Sequence, residues 1–145
     1  MNTTDTSTIR QEITIAAPAA KVFAALTVPE QLKQWWWDND SSTMEADFRV
    51  GGAWRATGES REGESFSVTG TYRVIDPPRV LEYTWVHRWG QLDEKTETIV
   101  RFELAERDGV THLRLTHSGF TDMSSKDDHN SGWPQVLAWL SDYVQ

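Results

Sequence analysis

Cysteine is absent from these 145 residues, so disulfides, thiolate metal sites and a cysteine nucleophile are all excluded. Basic residues are scarce: 14 Lys and Arg stand against 22 Asp and Glu, a formal net charge of −8. Nucleic acid and anionic membranes both need clustered Lys and Arg, so neither is an expected partner. No apolar stretch approaches the length of a membrane span. Met1 to Thr8 is polar and has no apolar signal core. A flexible N-terminus over residues 1–8 and a cytoplasmic location are therefore expected. The chain also has no His-Glu-x-x-His pair, no Gly-x-Ser-x-Gly elbow and no phosphate-cradling glycine loop. That removes the usual zinc-hydrolase, esterase and nucleotide signatures, and no metal or cofactor is expected.

Tryptophan, by contrast, is in excess. There are eight, three of them consecutive at Trp35, Trp36 and Trp37. Successive helical side chains lie about 100° apart, so three in a row sweep roughly 200°. A core-facing stripe is usually narrower than that. Trp35 and Trp36 share a helical face with Leu32 and should be buried, which leaves Trp37 as the most exposed of the three. Four of the other five lie in segments that read as strands or as the last helix.

Periodicity orders the elements. Ile9 to Ile15 alternates as a first strand. Pro18 opens a helix carrying Val22, Phe23 and Leu26. Thr27-Val28-Pro29-Glu30 has capping-box spacing, predicting a second short helix from about Val28 to Trp36. From Thr43 onward the period switches to two. Strand faces are formed by Trp54 and Ala56, by Phe66, Val68, Gly70, Tyr72 and Val74, and by Leu81, Tyr83, Trp85 and His87. Thr98, Val100, Phe102 and Leu104 make another, and Leu113, Leu115 and His117 the last. Gly51-Gly52, Glu62-Gly63, Asp76-Pro77-Pro78 and Asp108-Gly109 punctuate them, and Arg88 to Thr96 reads as a loop carrying Trp89. Trp133, Val136, Leu137, Leu140, Tyr143 and Val144 form an amphipathic C-terminal helix with Pro134 near its start. An antiparallel meander this long curls, and only the last helix is long enough to cover its apolar face.

These pieces resemble the AHSA-type branch of the START-like (SRPBCC) superfamily, named for an activator of the heat-shock protein 90 ATPase. The matching segments are Ala25 to Leu32 running into Trp35-Trp36, Phe48 to Arg55, Gly70-Thr71-Tyr72 with Pro77-Pro78, and Leu81 to Trp85. Thr98 to Leu104, Leu113 to Phe120, and Gly132-Trp133 with Leu137, Leu140 and Tyr143 follow in the family's order. The resemblance implies a single α+β domain over 9–145 with a helix-grip fold. A curved antiparallel sheet of six to seven strands would wrap the C-terminal helix, with two short helices after strand one and an apolar cavity inside. Where many relatives carry Gly-Pro after the paired tryptophans, this chain has Trp37-Asp38-Asn39-Asp40.

For the site, Trp54, Tyr72, Tyr83, Trp85 and Phe102 fall on apolar strand faces and are the pocket candidates. Each alone reads as core; as a set they favour a lined cavity, because Tyr and Trp bring polar groups that a packed core would have to satisfy. Trp36, Trp37, Trp133 and Leu137 join them from the helices. His87 and His117 are candidate ligand or acid–base groups, against the plainer reading of histidines capping strand ends near solvent. His112 and His117 are an odd number apart and cannot share a metal. Asp38-Asn39-Asp40 lacks the later residues of a calcium loop, and Asp127-Asp128-His129 reads as a solvated loop.

Three functions stay open. The first is a non-enzymatic protein, monomer or homodimer, binding a small apolar or aromatic ligand. The second is an interaction module for a chaperone or other protein, tied to a stress response. The third is a polyketide cyclase-like enzyme with a His or Tyr doing acid–base work. A reactive carbonyl bound near His87 would favour the enzyme, and a solid core the interaction module.

Overall fold

In a computed structural model, residues 7–36, 43–59, 65–89, 92–93, 97–121 and 123–145 are described. The chain opens with β1 (Ile9–Ile15), then two helices, α1 (Ala19–Thr27) and α2 (Pro29–Trp35). The meander is β2 (Thr43–Ala46), β3 (Ala53–Glu59), β4 (Ser65–Asp76), β5 (Val80–Trp89), the two-residue β6 (Leu92–Asp93), β7 (Thr98–Arg107) and β8 (Val110–Ser118). Helix α3 (Met123–Val144) ends it. The strands are antiparallel in the order β1-β8-β7-β5-β4-β3-β2, with β6 paired to β5. The two short helices thus carry the chain from one edge of the sheet to the other, and the meander returns until β8 lies beside β1. The curved sheet closing on α3 is the helix-grip fold.

Alternation explains which side is buried. In β7 and β8 every second residue points inward, and Val100, Phe102, Leu104, Leu113, Leu115 and His117 are all buried. Trp133, Leu137, Leu140 and Val144 face them from α3, at the three- and four-residue spacing of one helical face. His112, of opposite parity to His117, is exposed and sits 2.5 Å from Glu12.

Four expectations change. Thr27 does not cap α2: its hydroxyl donates back to Phe23 O at 2.9 Å, and Val28 is the N-cap with no side-chain bond. The helix forms anyway because Pro29 presets its first turn. Part of the segment read as a loop after His87 is strand, since β5 runs to Trp89 and β6 pairs with it. Helix α3 starts at Met123, ten residues before Trp133, with Pro134 inside it. The missing N–H of Pro134 leaves the Asn130 carbonyl without its helical donor, and the Gln11 side-chain amide from β1 donates to that oxygen at 3.2 Å. Gln11 also donates to Asn130 Oδ1 at 2.9 Å. The fourth change concerns Asp127-Asp128-His129, which is helix and not loop.

Of residues 1–8, Ser7 and Thr8 are described. Thr8 is buried, and the Ser7 carbonyl accepts from Phe120 N. Trp37 and the Asp38-Asn39-Asp40 segment lie outside the described residues, as does the Glu62-Gly63 turn.

Candidate functional site

Between the concave sheet face and α3 the aromatic side chains meet in one continuous cluster. Trp36, just past the end of α2, stacks 5.3 Å from Trp35 and 5.9 Å from Trp85, and meets Trp133 edge-on at 5.6 Å. Trp54 of β3 lies 5.1 Å from Tyr83 and 5.8 Å from Trp85. Tyr72 and Phe102 flank Tyr83, each at 6.1 Å. All of these rings are buried except Trp36, which is half-buried. Trp35 is buried and locked: its indole N–H donates to Ala25 O at 2.9 Å, tying α2 to α1.

Trp54 can pack close over β4 because its partner there is Gly70. A Cβ on Gly70 would come within 2.5 Å of Trp54 Nε1 and 1.9 Å of Thr84 O. Only glycine allows that approach. Beside it the Thr71 N–H is satisfied by Thr84 Oγ1 at 2.8 Å.

The space left between these rings is small. A void of about 20 Å³ is walled by Leu26, Leu32, Trp36, Met44, Trp54, Tyr72, Tyr83 and Trp85. That is room for roughly one water molecule. Trp54 Nε1 is buried without a hydrogen-bond partner. Burial raises the Tyr72 hydroxyl to about 12. It raises Tyr83 well above its ordinary value too, with the neighbouring Tyr72 adding to the effect. Both phenols are therefore neutral at physiological pH, and no wall residue of the void carries a charge.

The other end of the cluster is a histidine corner. His117 is 0 % exposed, neither at a strand end nor near solvent, which corrects the plainer reading of it. The Trp133 indole N–H donates to His117 Nδ1 at 3.1 Å, so that nitrogen is unprotonated. Neutral His117 then carries its proton on Nε2, which lies 2.7 Å from Thr98 Oγ1. The Thr98 hydroxyl in turn donates to Trp85 O at 3.1 Å. Desolvation, with the nearby His129 adding to it, lowers the His117 pKa to about 2. A ring whose two nitrogens are both committed in this way is a structural element of the core.

His129, reached only because α3 starts early, accepts the Trp85 indole N–H on Nε2 at 3.1 Å. Its ring lies 5.2 Å from His117 and 5.5 Å from the half-buried His87. Trp133 and Leu137 are buried against the sheet. The structure thus brings together Trp36, Trp54, Tyr72, Tyr83, Trp85, His87, Phe102, His117, Trp133 and Leu137. It adds His129, Phe120, Met44, Leu26 and Leu32, which the sequence reading did not place at the site. His129 had a signal, its four-residue spacing to Trp133, but Gly132 and Pro134, on either side of Trp133, mimic a helix start. Among the described residues no group of three His, Cys, Asp or Glu side chains is placed to hold a metal ion, and no helix is long and apolar enough to cross a membrane.

A curved sheet gripping a C-terminal helix over an aromatic interior defines the START-like class. Within it, the sequence matches the family of activator of Hsp90 ATPase homolog 1-like proteins over residues 16–145, and the chain belongs to that family. Among solved structures it is similar to the Mll3558 protein from Rhizobium loti, with 22% identity and a TM-score of 0.84 over 94% of this chain and 96% of that one. The CV1439 protein from Chromobacterium violaceum is 25% identical, with a TM-score of 0.79 over 95% and 97% of the two chains. CalU16 from Micromonospora echinospora is 23% identical, with a TM-score of 0.71 over 95% of this chain and 76% of that one. Likeness at this level shows the shared fold. No similar sequence is found among curated proteins.

Proposed function

We propose that the protein binds a small apolar or aromatic molecule between the concave sheet face and α3, with Trp36 as the side chain that yields to admit it. The observation that carries this reading is Trp54 Nε1, a polar group buried without a partner beside a void walled by aromatic rings. Leaving a buried donor unpaired costs about 1–3 kcal/mol, which a plain core has every reason to avoid. A bound acceptor would recover that cost. Trp36 is the one half-buried tryptophan of the cluster and follows the last residue of α2. It can therefore move without unwinding a helix, and its departure would add an indole-sized space to the void.

The near-filled interior supports a second reading, in which the domain is an interaction module for a chaperone ATPase, as the family name suggests. The enzymatic reading gains least, because His117 has both ring nitrogens committed within the core. Native mass spectrometry of the protein purified from its own host separates the first two. A retained small molecule supports the ligand reading. An empty protein that stimulates an Hsp90-type ATPase supports the interaction module and overturns it.

A further inference from the structure

We infer that the molecule bound under α3 is a neutral, planar aromatic compound carrying a hydrogen-bond acceptor, such as a ring-conjugated ketone, to which Trp54 Nε1–H donates. The inference rests on the ligand reading above and narrows it to a chemical class. Charge is excluded first. The eight residues that wall the void are Leu, Met, Trp and Tyr, with no carboxylate, ammonium or guanidinium among them. An ionised ligand would be buried there unpaired, which is strongly unfavourable.

Polarity comes next. The side-chain nitrogen and oxygen atoms of the wall residues belong to indole N–H and phenol groups. An indole N–H only donates, and a phenol donates readily. Of these groups Trp54 Nε1 is buried and unpartnered. By contrast, Trp85 Nε1 is spent on His129, Trp133 Nε1 on His117 and Trp35 Nε1 on Ala25 O. The unmet need of the site is therefore an acceptor and not a donor. Flatness follows from the walls. Trp36 stacks on Trp85 at 5.9 Å and within 20° of parallel, so a ligand that takes the place Trp36 yields meets the flat face of Trp85. Such faces stack best with another π-system.

Glycine at position 70 is what lets Trp54 hold this position. A Cβ there would lie 2.5 Å from Trp54 Nε1 and displace the ring that carries the N–H.

The test uses a matched pair of probes, 2-acetylnaphthalene and 2-ethylnaphthalene, which share shape and differ in the carbonyl oxygen. Equilibrium dialysis measures both against the unaltered protein and against Trp54→Phe, which keeps an aromatic ring and removes the N–H. The ketone should bind the unaltered protein about tenfold more tightly than the hydrocarbon, the worth of one otherwise unmet hydrogen bond. That preference should vanish in Trp54→Phe. Equal binding of the two probes to the unaltered protein would overturn the acceptor inference and leave the pocket standing, whether or not the variant folds. A ketone preference that persists in a folded Trp54→Phe would overturn it as well, by assigning the bond to another donor. Binding of neither probe, up to its solubility, would overturn the pocket reading and this inference with it.

Discussion

The indole N–H of Trp133 points at Nδ1 of His117 from 3.1 Å away, and this contact ties the fold's acid stability to one ring. His117 stays neutral in the fold until about pH 2, whereas in the unfolded chain it takes up a proton below about 6.5. Between those values the unfolded chain holds more protons, so stability falls as pH falls. The full contribution is present above pH 6.5.

Urea melts should therefore show a loss of about 2 kcal/mol from this group between pH 7.5 and pH 5. His117→Leu should cost about 1–3 kcal/mol at pH 8, because it orphans the Trp133 N–H. The gap between the two proteins should close on acidification. A gap that widens toward pH 5 would show that His117 is not held neutral.

Gln11 and Pro134 form a second linked pair through the Asn130 carbonyl. Gln11→Ala should destabilise by about 1 kcal/mol. In a Pro134→Ala background, where the helix supplies its own N–H to that carbonyl, the same change should cost less. Denaturant melts of the double-mutant cycle read the coupling directly. A zero coupling energy would mean that Gln11 does not stand in for the missing helical donor.

Trp35 and Trp36 are adjacent in sequence and should behave oppositely. Trp35 is 6 % exposed and hydrogen-bonded, so Trp35→Ala should cost about 3–5 kcal/mol. Trp36 is half-buried, and Trp36→Ala should cost roughly half as much while enlarging the void and tightening binding of a small aromatic probe. Equal destabilisation with no gain in binding would make Trp36 ordinary core.

Gly70 should tolerate nothing larger. Gly70→Ala drives a Cβ toward Thr84 O and Trp54 Nε1, and thermal melts should register a loss on the order of 1–3 kcal/mol. A neutral result would show that β4 can shift away from Trp54 freely.

The strands were legible in the sequence because one face of each is apolar. Trp54, Tyr72, Tyr83, Trp85 and Phe102 alternate with Thr, Arg and Glu, and a one-residue slip would have turned them all to solvent. What was hidden was hidden by local rules that tertiary contacts override. Thr27 has the spacing of a cap, yet its hydroxyl finds Phe23 O first. Pro134 looks like a helix start, yet α3 runs through it because Gln11, 119 residues away in sequence, takes the orphaned carbonyl. Missing that long-range bond hid the first ten residues of α3, and with them His129. The size of the interior was equally invisible. Aromatic residues on facing elements predict a shared space, but whether their rings line it or fill it depends on rotamers that periodicity does not encode.

The central claim, a ligand site under α3, is tested most directly by the indole N–H resonances of ¹⁵N-labelled protein during titration with 2-acetylnaphthalene. The account predicts that the signals of Trp36, Trp54, Trp85 and Trp133 shift together and saturate. That of Trp139, 43 % exposed on α3, should stay in place. Shifts confined to Trp139, or none at saturating probe, would contradict it.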